Sequence, residues 1–234
     1  MITLVGVGHV FAISDNVKDI IRSKNPEVVC LELDAARFNS LMSKNQSKKV
    51  PLQYMLLASI QRRMANKFGS EVGDEMMAAF GAAQEIGAKV ALIDMEASVV
   101  FSNMWRTMSL KERINLFMGA LIGLVASKEK VEHELDAYAD NEAKYLDTLG
   151  EQFPSIKKAL LDDRNVYMAE RIASLATKHQ NILAIVGDGH ISGLTAALAG
   201  QEVETVRLKD VRNGSALPES SSTDYSISYR YDSQ

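Results

Sequence analysis

The sequence predicts an α/β fold. Its core is a mainly parallel central sheet made from a duplicated strand–Gly-x-Gly-His–helix–strand unit, and a large helical insertion over about residues 35–180 caps the sheet edge. Three observations predict this. The phrase Ile2-Thr3-Leu4-Val5-Gly6-Val7-Gly8-His9-Val10 returns near the other end as Leu183-Ala184-Ile185-Val186-Gly187-Asp188-Gly189-His190-Ile191. Each copy begins with an apolar run of the kind found in strands buried on both faces of a parallel sheet. Between the copies, apolar residues recur at three- and four-residue spacing, the helical period.

The first copy predicts a strand over 2–5, the Gly6-Val7-Gly8-His9 turn and a helix over about 15–24 with Ser14 as its N-cap. Asn25-Pro26 ends that helix, and 27–33 reads as the second strand. The second copy predicts a strand over 182–186, a short helix near 192–199, then Gly200 and a strand over 203–208. Parallel crossovers bring both histidine turns to one edge of one sheet. In the insertion, helices are expected over 52–67, 71–86, 110–127, 128–149 and 155–178. One strand, Lys89 to Asp94, interrupts them and delivers Asp94 to the same edge. A single domain over 1–213 is expected, and the tail 214–234 reads as disordered or as an added edge strand.

Composition narrows the partners. A net charge of −4 offers no broad basic field, so nucleic acid is not expected. Cys30 is the sole cysteine and lies in an apolar run, which suits a core position in a reducing cytoplasm. Met1 leads straight into a strand, leaving no signal peptide, and the apolar stretch 114–127 is too short to span a bilayer. That stretch suits a buried helix, or one lying on a membrane or a partner.

Two of the four histidines, His9 and His190, occupy equivalent places in the repeat. Glycine permits a sharp turn and the close approach of a ligand. The carboxyl edge of an open α/β sheet is where such folds bind ligands. Imidazole is both a common metal ligand and the usual general base near neutral pH. A carboxylate completes a three-ligand set with an open position for water. Glu32 is the candidate, because Cys30-Leu31-Glu32-Leu33 is too apolar to accept a charge without a reason; otherwise it pairs with Arg37 or another buried arginine. Asp188, inside the second turn, either orients an imidazole, acts as an acid or is simply solvated. Asp94, Arg37, Asp163 and Arg164 form a second tier, in which an arginine binds a substrate carboxylate or forms a structural ion pair. His133 and His179 read as surface residues. No third fingerprint glycine, Walker lysine or Gly-x-Ser-x-Gly elbow is present.

On these residues the chain resembles the TraB/PrgY pheromone-shutdown family, related to the Tiki proteins and more distantly to erythromycin esterase-like proteins. The carriers are Gly6-Val7-Gly8-His9, Glu32-Leu33-Asp34-Ala35-Ala36-Arg37, Glu75-Met76-Met77-Ala78-Ala79, Leu92-Ile93-Asp94, Trp105, Asp163-Arg164-Asn165-Val166-Tyr167-Met168-Ala169 and Gly187-Asp188-Gly189-His190. The resemblance implies an α/β core with a metal-dependent hydrolase site. His9, His190 and Glu32 match its metal-binding residues, and Arg37 and Arg164 match its arginines. Tiki relatives are regarded as peptidases using manganese or cobalt; zinc and iron suit the same ligands. TraB-type relatives are linked to inactivating peptide pheromones. The chain departs from the family at Asp94-Met95-Glu96, where Asp-Arg-Asp is common, and at Ser102 and Asn103, where arginines precede the tryptophan. Many relatives also end in several membrane helices, which this sequence does not show, so a soluble protein is expected.

The expectation is therefore a metal-dependent hydrolase, most simply a peptidase. Glu32 and Asp188 would carry the chemistry, Arg37, Asp94 and Arg164 would contact substrate, and His9, Glu32 and His190 would hold the metal. The alternative is a protein that binds and sequesters a peptide or small ligand without cleaving it. A third reading is an assembly protein that forms homo-oligomers through its middle helices.

Overall fold

A strand covered on both faces must be apolar almost throughout, and β1 (Ile2–Val7) has Thr3 as its one polar side chain. The computed structural model describes residues 1–8, 13–43, 73–125, 148 and 150–214, with side chains of the 110–125 helix described as far as Phe117. The other strands are β2 (Val28–Leu31), β3 (Lys89–Leu92), β4 (Ile182–Gly187) and β5 (Val203–Val206). All pair in parallel, in the order β3-β2-β4-β1-β5.

Helices cover both faces. On one, Val5, Val7, Val29, Leu31, Leu183 and Ile185 pack against α1 (Ser14–Lys24), α2 (Ala35–Met42) and α3 (Asp74–Glu85). On the other, Ile2, Leu4, Val28, Cys30, Ile182, Ala184 and Val186 pack against the later helices. After β3 come α4 (Ala97–Thr107), α5 (Leu110–Val125) and α6 (Pro154–Lys157), and α4 and α6 contribute Met104, Phe101 and Ile156 to a separate small apolar cluster. A π-helical turn, Lys158–Asp162, joins α6 to α7 (Asp163–Ala176). After β4 come a 3₁₀ turn, Asp188–His190, then α8 (Ile191–Ala197) and α9 (Leu208–Asn213). Helices α7 and α8 form the second face's layer through Met168, Ala169, Ile172, Ile191 and Leu194. Burying each such side chain fully contributes about 1.5–3 kcal/mol.

The duplication is interlocked. The crossover from β1 to β2 passes over β4, and the crossover from β4 to β5 passes over β1. In the sequence phrase Gly6 corresponds to Gly187, but in the sheet Gly6 sits opposite Val186. That one-residue offset sends equivalent side chains to opposite faces. Accordingly Leu4 lies on the α8 side, and its counterpart Ile185 lies on the α1 side.

Several expectations are corrected. Ser14 is the first helical residue, and Ile13 caps the helix without a side-chain hydrogen bond. β2 and β5 end earlier than expected, at Leu31 and Val206, because the chain turns into the following loop and helix. The stretch 155–178 is divided by the π turn. Part of the insertion does not cap an edge: α3 and α7 complete the two face layers, since their apolar stripes meet the sheet directly. The expected helices over 52–67 and 128–149, His133 and the tail beyond Gly214 lie outside the described residues.

Two local devices hold the periphery. Ser109 and Glu112 form a reciprocal cap at the start of α5, with Ser109 N–H donating to Glu112 Oε2 at 2.8 Å and Glu112 N–H to Ser109 Oγ at 3.2 Å. Glu112 Oε1 also accepts from Ser155 N–H at 2.8 Å, tying α5 to α6. Leu110, Ile114 and Phe117 along α5 are exposed. Among the described residues, no helix is long and apolar enough to cross a membrane.

Candidate functional site

The two central strands, β1 and β4, send their helical connections in opposite lateral directions, one towards β2 and the other towards β5. This makes the gap at their carboxyl ends a topological switch point, the usual ligand position in open α/β sheets. Both Gly-x-Gly-His turns begin there: Val7, the last residue of β1, pairs with Gly187, the last of β4. His9 lies outside the described residues.

Glu32 follows the last residue of β2 and is the neighbour of the β4 turn. Its backbone N–H donates to Ile185 O at 3.1 Å, and its Oε2 accepts from Gly187 N–H at 2.5 Å. Oε1 stands 3.3 Å from His190 Nε2 and also accepts from Arg164 Nη2. The side chains of Glu32 and His190 are each only 6% exposed. Burial opposes ionisation of Glu32. The charge and hydrogen bond of His190, the Arg164 guanidinium and the Gly187 N–H outweigh it and hold the carboxyl well below its ordinary range.

On its other ring nitrogen, His190 Nδ1 lies 2.6 Å from Asn165 Oδ1. Asn165 stands on α7 directly after Arg164, and the π turn precedes both. There Asp163 N–H reaches back five residues to Lys158 O, while Arg164 Nη1 donates to Leu160 O at 3.0 Å. Single π turns inside helices frequently mark functional sites.

Arg164 is held chiefly by Asp94, Nε donating to Oδ1 at 2.9 Å and Nη2 to Oδ2 at 2.7 Å. Asp94 Oδ2 also accepts from Arg37 Nη2. Arg37 Nε donates to Asp34 Oδ2 at 2.6 Å, and Asp34 caps α2 by accepting from Arg37 N–H at 2.9 Å. The result is a continuous chain of charge: Asp34, Arg37, Asp94, Arg164, Glu32, His190. Burial works against the charged form of both arginines, but their carboxylate partners prevail and raise both above the ordinary guanidinium value. Arg37 is the open end, with a side chain 39% exposed against 14% for Arg164.

Asp188 takes a separate place. Arg207 grips it through Nε at 3.1 Å and Nη2 at 2.7 Å, and Leu208 N–H adds a bond at 2.8 Å. Asp163 pairs with Lys158 at the surface, away from this chain of charge. His179, expected at the surface, has Nδ1 3.0 Å from Glu27 Oε2. Among the described residues no group of three His, Cys, Asp or Glu side chains is placed to hold a metal ion.

The structure thus unites Glu32, His190, Arg164, Asp94 and Arg37, and sets Asp188 with Arg207. Sequence reasoning missed Asn165, Asp34 and Arg207 as members. Each had a signal. Asn165 shares the buried stripe of Met168, Ala169 and Ile172 at helical spacing, where an apolar residue is the norm. Asp34 stands immediately before a helix, where aspartate caps. Arg207 follows the last residue of β5 as Glu32 follows that of β2.

The TraB/PrgY/gumN family model matches residues 1–202. An uncharacterized protein of Methanocaldococcus jannaschii, MJ1365, is 31% identical over 229 residues, covering 90% of this chain and 57% of its own length. The chain therefore spans a little over half of that relative. With the match running from the first Gly-x-Gly-His turn through the second, the chain belongs to the TraB/PrgY/gumN family.

Proposed function

We propose that the chain is a metal-dependent hydrolase acting on peptides, with Glu32, His190 and His9 as its metal-binding residues. One observation carries the reading. A carboxylate oxygen and an imidazole nitrogen, both common ligands of divalent metals, face each other at 3.3 Å at the topological switch point, where a proton or a metal ion can join them. The donors fit a divalent ion: nitrogen and oxygen without thiolate suit manganese, cobalt, zinc or iron. When bound, such an ion polarises a carbonyl and acidifies water.

The chain's own groups prepare that place. Gly187 N–H and Arg164 keep Glu32 ionised, as a ligand or a base must be. Asp94 steadies Arg164 and Arg37 together, and the half-exposed Arg37 offers positive charge to a peptide carboxylate. Asp188 has both oxygens engaged by Arg207 and serves to hold the turn, which leaves Glu32 as the carboxylate for proton transfer. The resemblance to Tiki peptidases supports the peptide as substrate, and the buried Cys30 accords with a reducing cytoplasm. The near-complete burial of Glu32 and His190 favours a second reading, a peptide-sequestering protein without turnover.

The test is elemental analysis of chelator-free protein beside His9→Ala and His190→Ala, followed by peptide-library cleavage. Near-stoichiometric metal lost in both variants, with metal-dependent cleavage, is the expected result. Metal-free protein after reconstitution with excess ion ends the metallohydrolase reading. Saturable peptide binding without products favours sequestration.

A further inference from the structure

The buried face of α7 carries one side chain that its packing does not need. Asn165 occupies a position of the stripe otherwise filled by Met168, Ala169 and Ile172, and it is buried. A buried amide without a partner is costly, so a residue kept there has a polar task. Its oxygen lies 2.6 Å from His190 Nδ1. An amide oxygen only accepts, so that separation requires a proton on Nδ1.

The opposite wall is cut to admit it. A Cβ built on Gly193 of α8 would overlap the Asn165 amide nitrogen and come within 2.9 Å of its Cγ. Gly193 has no unusual backbone conformation to explain the glycine, so the space is what it provides. Gly187 lies at ordinary contact distance on the other side, with a built Cβ 3.4 Å from Glu32 Oε2 and 3.6 Å from His190 Cδ2. Thus the imidazole is bonded on one nitrogen, confined along its edge and directed at Glu32 with the other.

We propose that Asn165 is a positioning residue: its amide oxygen holds a proton on Nδ1 of His190 and so fixes the ring with Nε2 turned towards Glu32, and Gly193 is glycine to make room for it. The second ring nitrogen of a ligating or basic histidine is commonly fixed by such an outer partner. The inference rests on His190 as a site residue, as the proposed function does, but requires no metal to be bound.

The test reads the proton directly. Protein labelled with ¹⁵N-histidine gives long-range ¹H–¹⁵N correlations that distinguish the two neutral tautomers, and His190→Gln identifies the His190 signals. In chelated, metal-free protein the expected pattern is a protonated Nδ1, whether or not Nε2, which faces the Glu32 carboxylate, also carries a proton. Asn165→Ala and Gly193→Ala should each shift the population towards Nε2–H, whereas Asn165→Asp, which keeps an acceptor, should retain Nδ1–H. Native protein with Nδ1 unprotonated overturns the inference. So does an unchanged pattern in folded Asn165→Ala. Should that variant not fold, Gly193→Ala and the native spectrum decide the matter. Failure here leaves the metal analysis standing, and absence of metal leaves this result standing.

Discussion

Asp188 of the second turn lies against Gly6 of the first, so close that a Cβ on Gly6 would overlap its carboxylate oxygen and come within 3.1 Å of its Cγ. The aspartate has no easy retreat, since Arg207 and the Leu208 N–H hold it from the β5 side. Gly6→Ala is therefore expected to destabilise the protein by about 1–3 kcal/mol, the usual cost of overpacking. In an Asp188→Ala background the same substitution should cost less. Urea unfolding of the four proteins in this cycle measures the coupling, and strict additivity would refute a direct contact.

Arg164 joins Glu32 and Asp94, two buried carboxylates. Arg164→Ala removes a shared cation from both, leaving Asp94 with Arg37 and Glu32 with His190 and the Gly187 N–H, and breaking a buried pair in this way costs up to about 3–5 kcal/mol. Arg164→Lys should recover only part of the loss, because one ammonium cannot reproduce the forked contact with Asp94. Denaturant midpoints for the three proteins check the order: native highest, lysine intermediate, alanine lowest.

The sheet was legible because strands covered on both faces leave unbroken apolar runs, as in β1 and β4. The turns were legible because their glycines and histidines recur. Glu32 stood out as a charge in an apolar strand end. The sense of the duplication was not legible: aligned phrases carry no register, and the one-residue offset that separates Leu4 from Ile185 is a property of pairing. The π turn was hidden because apolar spacing runs across 155–178 without a break. Asn165 falls at helical spacing with Met168, Ala169 and Ile172, so its inward position had a signal, but its partner His190 lies on a distant segment and only packing brings the two together. The placement of Arg164 on Glu32 depends on α7 crossing the sheet near its carboxyl edge, a long-range relation that no local pattern encodes.

Cys30 tests the packing of the α8-side core. It is fully covered, and burial pushes its thiol up to about 12. Thiolate is the reactive form, so a disulfide reagent at pH 8 should leave the native protein unmodified and label it once denaturant is added. Rapid labelling without denaturant would show that this face of the sheet opens under native conditions.

Acid provides the last prediction. Glu32 and Asp34 both have carboxyls held below their ordinary values of 4.5 and 3.8. For Glu32 the burial that opposes ionisation is outweighed by His190, Arg164 and Gly187; for Asp34 it is outweighed by Arg37 and the Ala97 N–H. Each therefore binds fewer protons folded than unfolded, so its contribution is fully present above the ordinary carboxyl value and is lost as pH falls below it. Each unit of pKa difference corresponds to about 1.4 kcal/mol. Stability should accordingly hold from neutral pH to about pH 5 as far as these groups are concerned, then decline steeply through pH 4 and 3. Glu32→Gln cannot gain this proton, so its stability should start lower at pH 7 and fall less between pH 5 and 3 than that of the native protein. Thermal midpoints measured across that interval settle the point: parallel curves for native and variant would mean that Glu32 is not ionised by its partners.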